Sequence, residues 1–231
     1  MARKKKEAGL WLMYEVGLQI EGQFASSLPR TTEEIRGMLE HRMPTRKPED
    51  ATPIDQLADQ VALQVGATSK DDEDEDYLPG WATFKRDESG LYYEGRQIRG
   101  HIKDCALQIA PIKQSSIKNF RSKVANKVYV MDDIIPLWKD ILNNERYTET
   151  DGAEERFVQV MTRQGPRSAI KYIDYINNPY MSFRIKVLND GIITIDDVET
   201  IFEYGSVHGI GQERSQGWGR YSVHHITDMT E

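Results

Sequence analysis

The stretch GIGQERSQGWGRY, residues 209–221, is the feature that most constrains this chain. Its four glycines form two Gly-hydrophobic-Gly pairs with five residues between them, at Gly209, Gly211, Gly217 and Gly219. Glycine adopts positive φ at little cost and lets another backbone approach closely. The stretch follows a predicted helix and precedes a predicted strand, so we expect a loop of unusual backbone geometry there.

The composition of this loop is typical of an anion-binding site. Main-chain N–H groups around glycines can form a concavity for phosphate. Arg214 and Arg220 add forked guanidinium donors, and Ser215 lies between the glycine pairs. We expect Trp218 to stack on a base, a contact worth about 1–3 kcal/mol. The alternative is a flexible connection with Trp218 in the core.

The same loop does not have the pattern of a nucleotide-hydrolysing enzyme. It lies between a predicted helix and a predicted strand, whereas Walker and dinucleotide loops lie between a strand and a helix. The Lys-Ser/Thr pair of a Walker loop is also missing from residues 209–221. The sequence therefore argues against an NTPase.

Charge is distributed unevenly along the chain. The net charge of −7 argues, taken alone, against a nucleic-acid partner. Residues 96–131 are the exception, because they hold eight cations against Asp104 alone. The eight are Arg96, Arg99, Lys103, Lys113, Lys118, Arg121, Lys123 and Lys127. A basic segment on an acidic protein is a common feature of phosphate binding, and the alternative is a solvated basic face.

Hydrophobic periodicity and turn signals predict an α+β fold. Strands or hairpins are predicted at 10–22, 81–95, 127–133, 155–176, 180–188 and 218–226. Helices are predicted at 31–43, 54–65, 96–110, 135–142 and 194–205. The order of the main elements suits a ferredoxin-like (RRM-like) βαββαβ core, an antiparallel sheet with helices on one face. We expect residues 1–231 to form one domain, from which residues 44–94 project as an insertion.

Other features bear on the compartment. No apolar run approaches the roughly 18 residues of a membrane span, so no membrane partner is expected. The single cysteine, Cys105, allows no intrachain disulfide and fits a reducing compartment. We interpret the basic start of the chain as a solvated tail and not as a signal peptide. A cytoplasmic protein is therefore expected.

The glycine motif resembles the signature of the RAMP superfamily of CRISPR-associated proteins. In that signature a helix leads to Gly-hydrophobic-Gly, about five residues, Gly-hydrophobic-Gly and a final strand. Gly209, Gly211, Gly217 and Gly219 take the glycine positions here. A looser likeness is YYEGRQIRGHIKDCALQI, residues 92–109, which is similar to the strand, turn and basic helix that meet guide RNA in backbone subunits of the superfamily.

The resemblance implies an RNA-binding, non-catalytic subunit that holds the backbone of a guide RNA in a ribonucleoprotein assembly. It also implies partner subunits or further copies of the same chain, and a thumb-like role for residues 44–94. The basic segment 96–131 and the glycine loop 209–221 would then line one groove that follows the RNA backbone. The expected contacts are Gly209, Gly211, Arg214, Ser215, Gly217, Trp218, Gly219, Arg220, Arg96, Arg99, His101 and Lys103.

A second hypothesis is a metal-independent RNA-processing endonuclease of the same fold. Such an enzyme needs a general base and a general acid, for which histidine is suited near neutral pH. His101 and His208 are the candidates, because the first lies in the basic helix and the second adjoins the glycine loop. No metal site or cofactor is expected, and the acidic run at 71–76 is interpreted as a solvated loop. A small-ligand or purely structural protein is a third possibility.

Overall fold

The computed structural model describes residues 9–26, 28–29, 35–36, 53–65, 81–162 and 165–230. The strands are β1 (Trp11–Glu21), β2 (Gln23–Phe24), β3 (Leu28–Pro29), β4 (Trp81–Thr83), β5 (Lys85–Asp87), β6 (Gly90–Glu94), β7 (Val128–Val130), β8 (Ile134–Pro136), β9 (Trp138–Asp140), β10 (Glu145–Arg146), β11 (Gly152–Thr162), β12 (Gly165–Asn177), β13 (Tyr180–Leu188) and β14 (Arg220–Asp228). The helices bounded within these residues are α1 (Ile54–Val65), α2 (Gly95–Lys113), α3 (Phe120–Lys127) and α4 (Ile195–His208).

The main sheet is antiparallel and has the strand order β10-β9-β13-β1-β14, with β7 also paired to β13. A second sheet has the order β11-β12-β4-β3, with β2 also paired to β12, and β4 lies parallel to β12. Strands β5, β6 and β8 form a third, antiparallel sheet. The chain is therefore a mixed α/β protein in which most strand pairs are antiparallel.

The hydrophobic core lies between the main sheet and helices α2 and α4. Strand β1 alternates, so that Val16, Leu18 and Ile20 are fully buried. The spacing of Ile98, Ile102, Cys105 and Ile109 predicts one apolar helical face, and helix α2 contributes all four side chains to the core, as this spacing predicts.

Helix α4 begins as predicted. Thr194 is its N-cap, and the Thr194 and Asp197 side chains form a capping box. The inner face, Val198, Ile201 and Phe202, is also confirmed. The predicted end at Gly205 is wrong, since the helix continues to His208. Gly205 is needed for packing instead, because a Cβ there would overlap the Tyr221 hydroxyl and the His101 ring.

Two predicted hairpins are confirmed, and one predicted helix is wrong. Strands β5 and β6 pair across Glu88 and Ser89, and β11 pairs along its whole length with residues 165–175 of β12. The predicted helix at 135–142 is replaced by β8 and β9. Ile135 and Leu137 alternate inward there and are fully buried, which is the period of a strand.

The predicted insertion, 44–94, is described only in part. Residues 44–52 and 66–80, with the acidic run, lie outside the described residues, as does most of the predicted helix at 31–43. Within the described part, Phe84, Leu91 and Tyr93 belong to the main core, so residues 84–93 do not project from it. No helix of the described segments is long and apolar enough to cross a membrane.

Candidate nucleic-acid interface

All four motif glycines have positive φ. The angles are +78° at Gly209, +86° at Gly211, +86° at Gly217 and +68° at Gly219. Gly209 also ends helix α4, where its N–H bonds to the carbonyl of Gly205. The backbone geometry predicted from the sequence is therefore confirmed, and only glycine adopts it without strain.

The glycines serve close packing of backbones more than exposure of amides. A Cβ at Gly219 would overlap the carbonyl oxygen of Ile210, and one at Gly211 would overlap that of Ala25. The loop amides bind the same neighbours: Ile210 N donates to Gly219 O at 2.9 Å and Gly219 N to Gln23 O at 2.9 Å. These amides are occupied by the protein, which corrects the expectation of a fully open anion-binding concavity.

Trp218 lies in the core, which is the alternative interpretation of this residue given above. It is 6% exposed and packs with Ala25, Ile173 and Tyr175. The guanidinium of Arg156 lies 5.3 Å from the centroid of its ring. Neither face is open for a nucleobase, so the predicted stacking role is wrong in this structure.

The loop and helix α2 meet at Asp104. Arg214 Nη1 donates to Asp104 Oδ2 at 3.0 Å, and His208 Nε2 lies 3.0 Å from the same oxygen. Arg214 Nη1 is also 2.8 Å from His208 Nε2. Because arginine only donates hydrogen bonds, the Nε2 atom of a neutral imidazole either donates to Asp104 or accepts from Arg214, and cannot do both at once. The C-terminal end of α4, the loop and α2 are thus tied together at one carboxylate.

The Asp104 carboxylate is stabilised in its charged form. Partial burial raises its pKa, but hydrogen bonds from His208 and Arg214 outweigh burial and hold the pKa below its ordinary value. Asp104 therefore stays ionised at neutral pH and holds Arg214 against the helix. A phosphate that binds Arg214 has to compete with this carboxylate.

A shallow cleft of about 300 Å³ opens between the two segments. Helix α2 supplies Gln97, Gly100 and Asp104, and the loop supplies Gly211 and Arg214. A second depression on the other side of Arg214 reaches Ser215, which is exposed. The two segments singled out in the sequence therefore lie side by side on one surface.

The cations of helix α2 differ in their availability. Arg96 is exposed and forms a forked hydrogen bond to Glu94, at 3.0 and 2.7 Å. Arg99 turns toward α3, where it donates to the Ala125 carbonyl at 3.3 Å and its guanidinium lies 4.9 Å from the centroid of the Tyr129 ring. Lys103 is half-buried and forms no ion pair with any described residue. Of the three, Lys103 has the freest charge.

Helix α3 packs against α2, and α3 and the turn before it carry further cations. Lys118, Arg121 and Lys123 are exposed or half-buried and have no ion pair within the described ranges. Lys113 and Lys127, by contrast, bind Asp197 and Asp190. We define the basic surface as Lys103, Lys118, Arg121 and Lys123, with Arg96 and Arg214 at its edge.

His101 lies beneath the basic surface. It is 5% exposed, and its Nε2 lies 2.9 Å from the Tyr221 hydroxyl. Burial, followed by electrostatic interaction with His208 and Arg214, lowers the pKa of His101 to about 3. The imidazole is therefore neutral at physiological pH, which is at odds with the predicted phosphate contact and with a general acid at this position.

Arg220 does not face this surface. It lies at the start of β14 and lines a different groove with Glu21, Glu199 and Glu203. Asp104 and Tyr221 were missed by the sequence reasoning, because their partners lie more than 100 residues away along the chain. Among the described residues, no group of three or more His, Cys, Asp or Glu side chains could hold a metal ion.

No family model and no curated protein matches the chain. The solved structures that are similar to this one include two CRISPR complexes. The first, described as the type III-B Cmr-β bound to cognate target RNA, shares 9% identity and a TM-score of 0.42, and the match covers 95% of this chain and 61% of that one. The second, a type IV-B CRISPR complex, shares 8% identity and a TM-score of 0.48, and the match covers 95% and 92%. At these scores neither structure supports a functional argument.

Proposed function

We propose that this chain is a non-catalytic RNA-binding subunit that holds the backbone of a guide RNA in a CRISPR-type ribonucleoprotein. One observation supports the proposal: loop 209–219 and helix α2 join at Asp104, and α2 packs in turn against α3, which carries free cations. A row of cations along two helices suits a polyanion better than a single phosphate. The RAMP-like motif is consistent with this assignment.

The proposed contacts are to phosphates and not to bases. Lys103, Lys118, Arg121 and Lys123 contact the backbone directly, and Arg214 moves from Asp104 to a phosphate oxygen when RNA is bound. Phosphate contacts supply affinity without sequence information, which a protein that holds variable guides needs. The burial of Trp218 agrees with this mode, since base stacking is not part of it.

The proposed fold assignment is a ferredoxin-like core. Its elements are β1, α2, β7, β13, α4 and β14 in chain order, which is βαββαβ. The strand order β14-β1-β13-β7 and the antiparallel pairs support the assignment. We propose a single RAMP-like domain with a thumb-like insertion within residues 44–94.

The endonuclease hypothesis has one observation in its favour. The ring centroids of His101 and His208 lie 6.4 Å apart, beside the loop. His101, however, is neutral and bound to Tyr221, so the pair lacks a second group that can donate a proton near pH 7. We therefore expect RNA bound to this protein to remain intact.

Purification of the protein without nuclease treatment tests the proposal. We expect an absorbance ratio at 260 and 280 nm well above that of a protein alone, and intact RNA of defined length upon extraction. The bound RNA is expected to leave as salt is raised, because phosphate contacts release counterions. Protein that carries no RNA at low salt contradicts the proposal, and RNA cut at one site that stays whole with His208→Ala favours the endonuclease.

A further inference from the structure

A groove lies away from the basic surface, between helix α4 and strand β14. Its volume is about 650 Å³. Apolar side chains form part of its lining, including Val207, which is 71% exposed, and Val223, which is 37% exposed.

The groove is acidic. Its lining contains three carboxylates and one cation, which are Glu21, Glu199, Glu203 and Arg220. None of these four side chains forms an ion pair with another described residue. A polyanion is repelled by such a surface, so the groove and the basic surface have different partners. Three free carboxylates around an apolar lining fit lysine or arginine side chains, whose stems cover apolar surface while their charged ends stay in water.

Strand β14 adds a second means of recognition. It is an edge strand, because within the described ranges it pairs with β1 alone. Its outer edge presents backbone N–H and C=O groups to an extended segment. Side chains of a strand added there alternate between the two faces, so every second residue points toward α4.

This chain itself carries a segment of the required chemistry. Residues 3–6 are Arg-Lys-Lys-Lys, immediately before the first described residues. We propose that the groove between α4 and β14 binds this basic segment from a second copy of the chain. This inference rests on the proposed function, because the contact would hold copies of the chain in a row along one RNA.

Chain length favours a second copy over the same chain. Gly9 is fixed near the start of β1, where its carbonyl accepts from Asn189. Val223, in the middle of the groove, pairs with Leu18, which is nine residues after Gly9 along β1. The middle of the groove therefore lies about 30 Å from Gly9. Arg3 reaches at most about 21 Å from Gly9 even when the chain is fully extended. A tail that enters the groove of another copy links two copies, and repetition of the contact from copy to copy builds a row.

Charge reversal of each side tests the contact on protein freed of RNA. The variants are Glu199→Lys with Glu203→Lys for the groove, and Lys4→Glu, Lys5→Glu and Lys6→Glu for the tail. Sedimentation velocity is expected to show self-association of the wild type that is at least about tenfold weaker in either variant, because like charges now meet. Glu88→Lys, on an exposed turn far from the groove, is the control and is expected to associate normally.

A mixture of the two reversed variants is the sharper experiment. The reversed groove of one fits the reversed tail of the other, and the unchanged tail and groove also match between them. The mixture is therefore expected to associate with equal amounts of both variants, whereas neither variant associates alone. A monomeric wild type, a groove variant that associates normally, or a mixture that stays monomeric overturns the inference. RNA retention is expected to be unchanged in the groove variant, so failure of this contact and failure of RNA binding are distinguished.

Discussion

Replacement of Gly219 by alanine is expected to lower the free energy of unfolding by about 4 kcal/mol, and replacement of Gly217 by only about 1–2 kcal/mol. Both glycines have positive φ, so both substitutions introduce backbone strain. The two positions differ in the room that is available for an added methyl group. A Cβ at Gly219 overlaps the Ile210 carbonyl, whereas one at Gly217 has its nearest neighbour at 3.6 Å, in the Arg220 side chain.

Urea denaturation followed by circular dichroism measures both losses. Gly217→Ala is the matched control, since it shares the loop, the sign of φ and the added methyl group. The expected difference comes from backbone overlap, because the bond from Ile210 N to Gly219 O, at 2.9 Å, holds the two backbones against each other and leaves no room for a methyl group. Equal losses in the two variants contradict the close packing between residues 210 and 219.

Reversal of two charges on the basic surface is expected to release the RNA. Lys103→Glu with Arg121→Glu removes two phosphate contacts and adds two repulsions, so affinity is expected to fall at least about 100-fold. The slope of log affinity against log salt is expected to decrease by about two. Arg99 is left unchanged in this variant, because it packs on Tyr129 and binds the Ala125 carbonyl.

Fluorescence anisotropy with a labelled single-stranded RNA at several salt concentrations measures both quantities. Arg86→Glu with Lys139→Glu is the control, since it changes the net charge equally on strands β5 and β9, away from α2 and α3. The control is expected to bind RNA nearly as the wild type does. Equal losses in both variants mean that net charge, and not this surface, governs binding.

The local features of the fold could be predicted from the sequence. Positive φ at the four motif glycines, the apolar face of α2 and the N-cap of α4 follow from residue types within a few positions of each other. The segment 135–142 was misassigned because short apolar runs do not distinguish a helix from a strand. Ile135 and Leu137 became strand residues through pairing of β8 with β6, a partner some 40 residues earlier.

The site was predicted less completely than the fold. The adjacency of the glycine loop and α2 was expected, but Asp104 as their link was not. Residues 96–131 contain eight cations, but two of them are not available to RNA. Lys113 and Lys127 form ion pairs with Asp197 and Asp190, which lie more than 60 residues away along the chain. Trp218 was expected to be exposed, and its burial depends on Ile173 and Ala25, from two distant segments. Long-range contacts of this kind are not visible in one sequence.

Cross-link mapping of the purified ribonucleoprotein tests the central claim most directly. Ultraviolet cross-linking followed by mass spectrometry of the peptides identifies the residues that touch RNA. We predict cross-links within residues 96–104, 118–123 and 209–219, the three segments that form the basic surface and its edge. Cross-links confined to other surfaces, such as the exposed residues of β13 or the groove beside β14, contradict the claim that these segments share one RNA track.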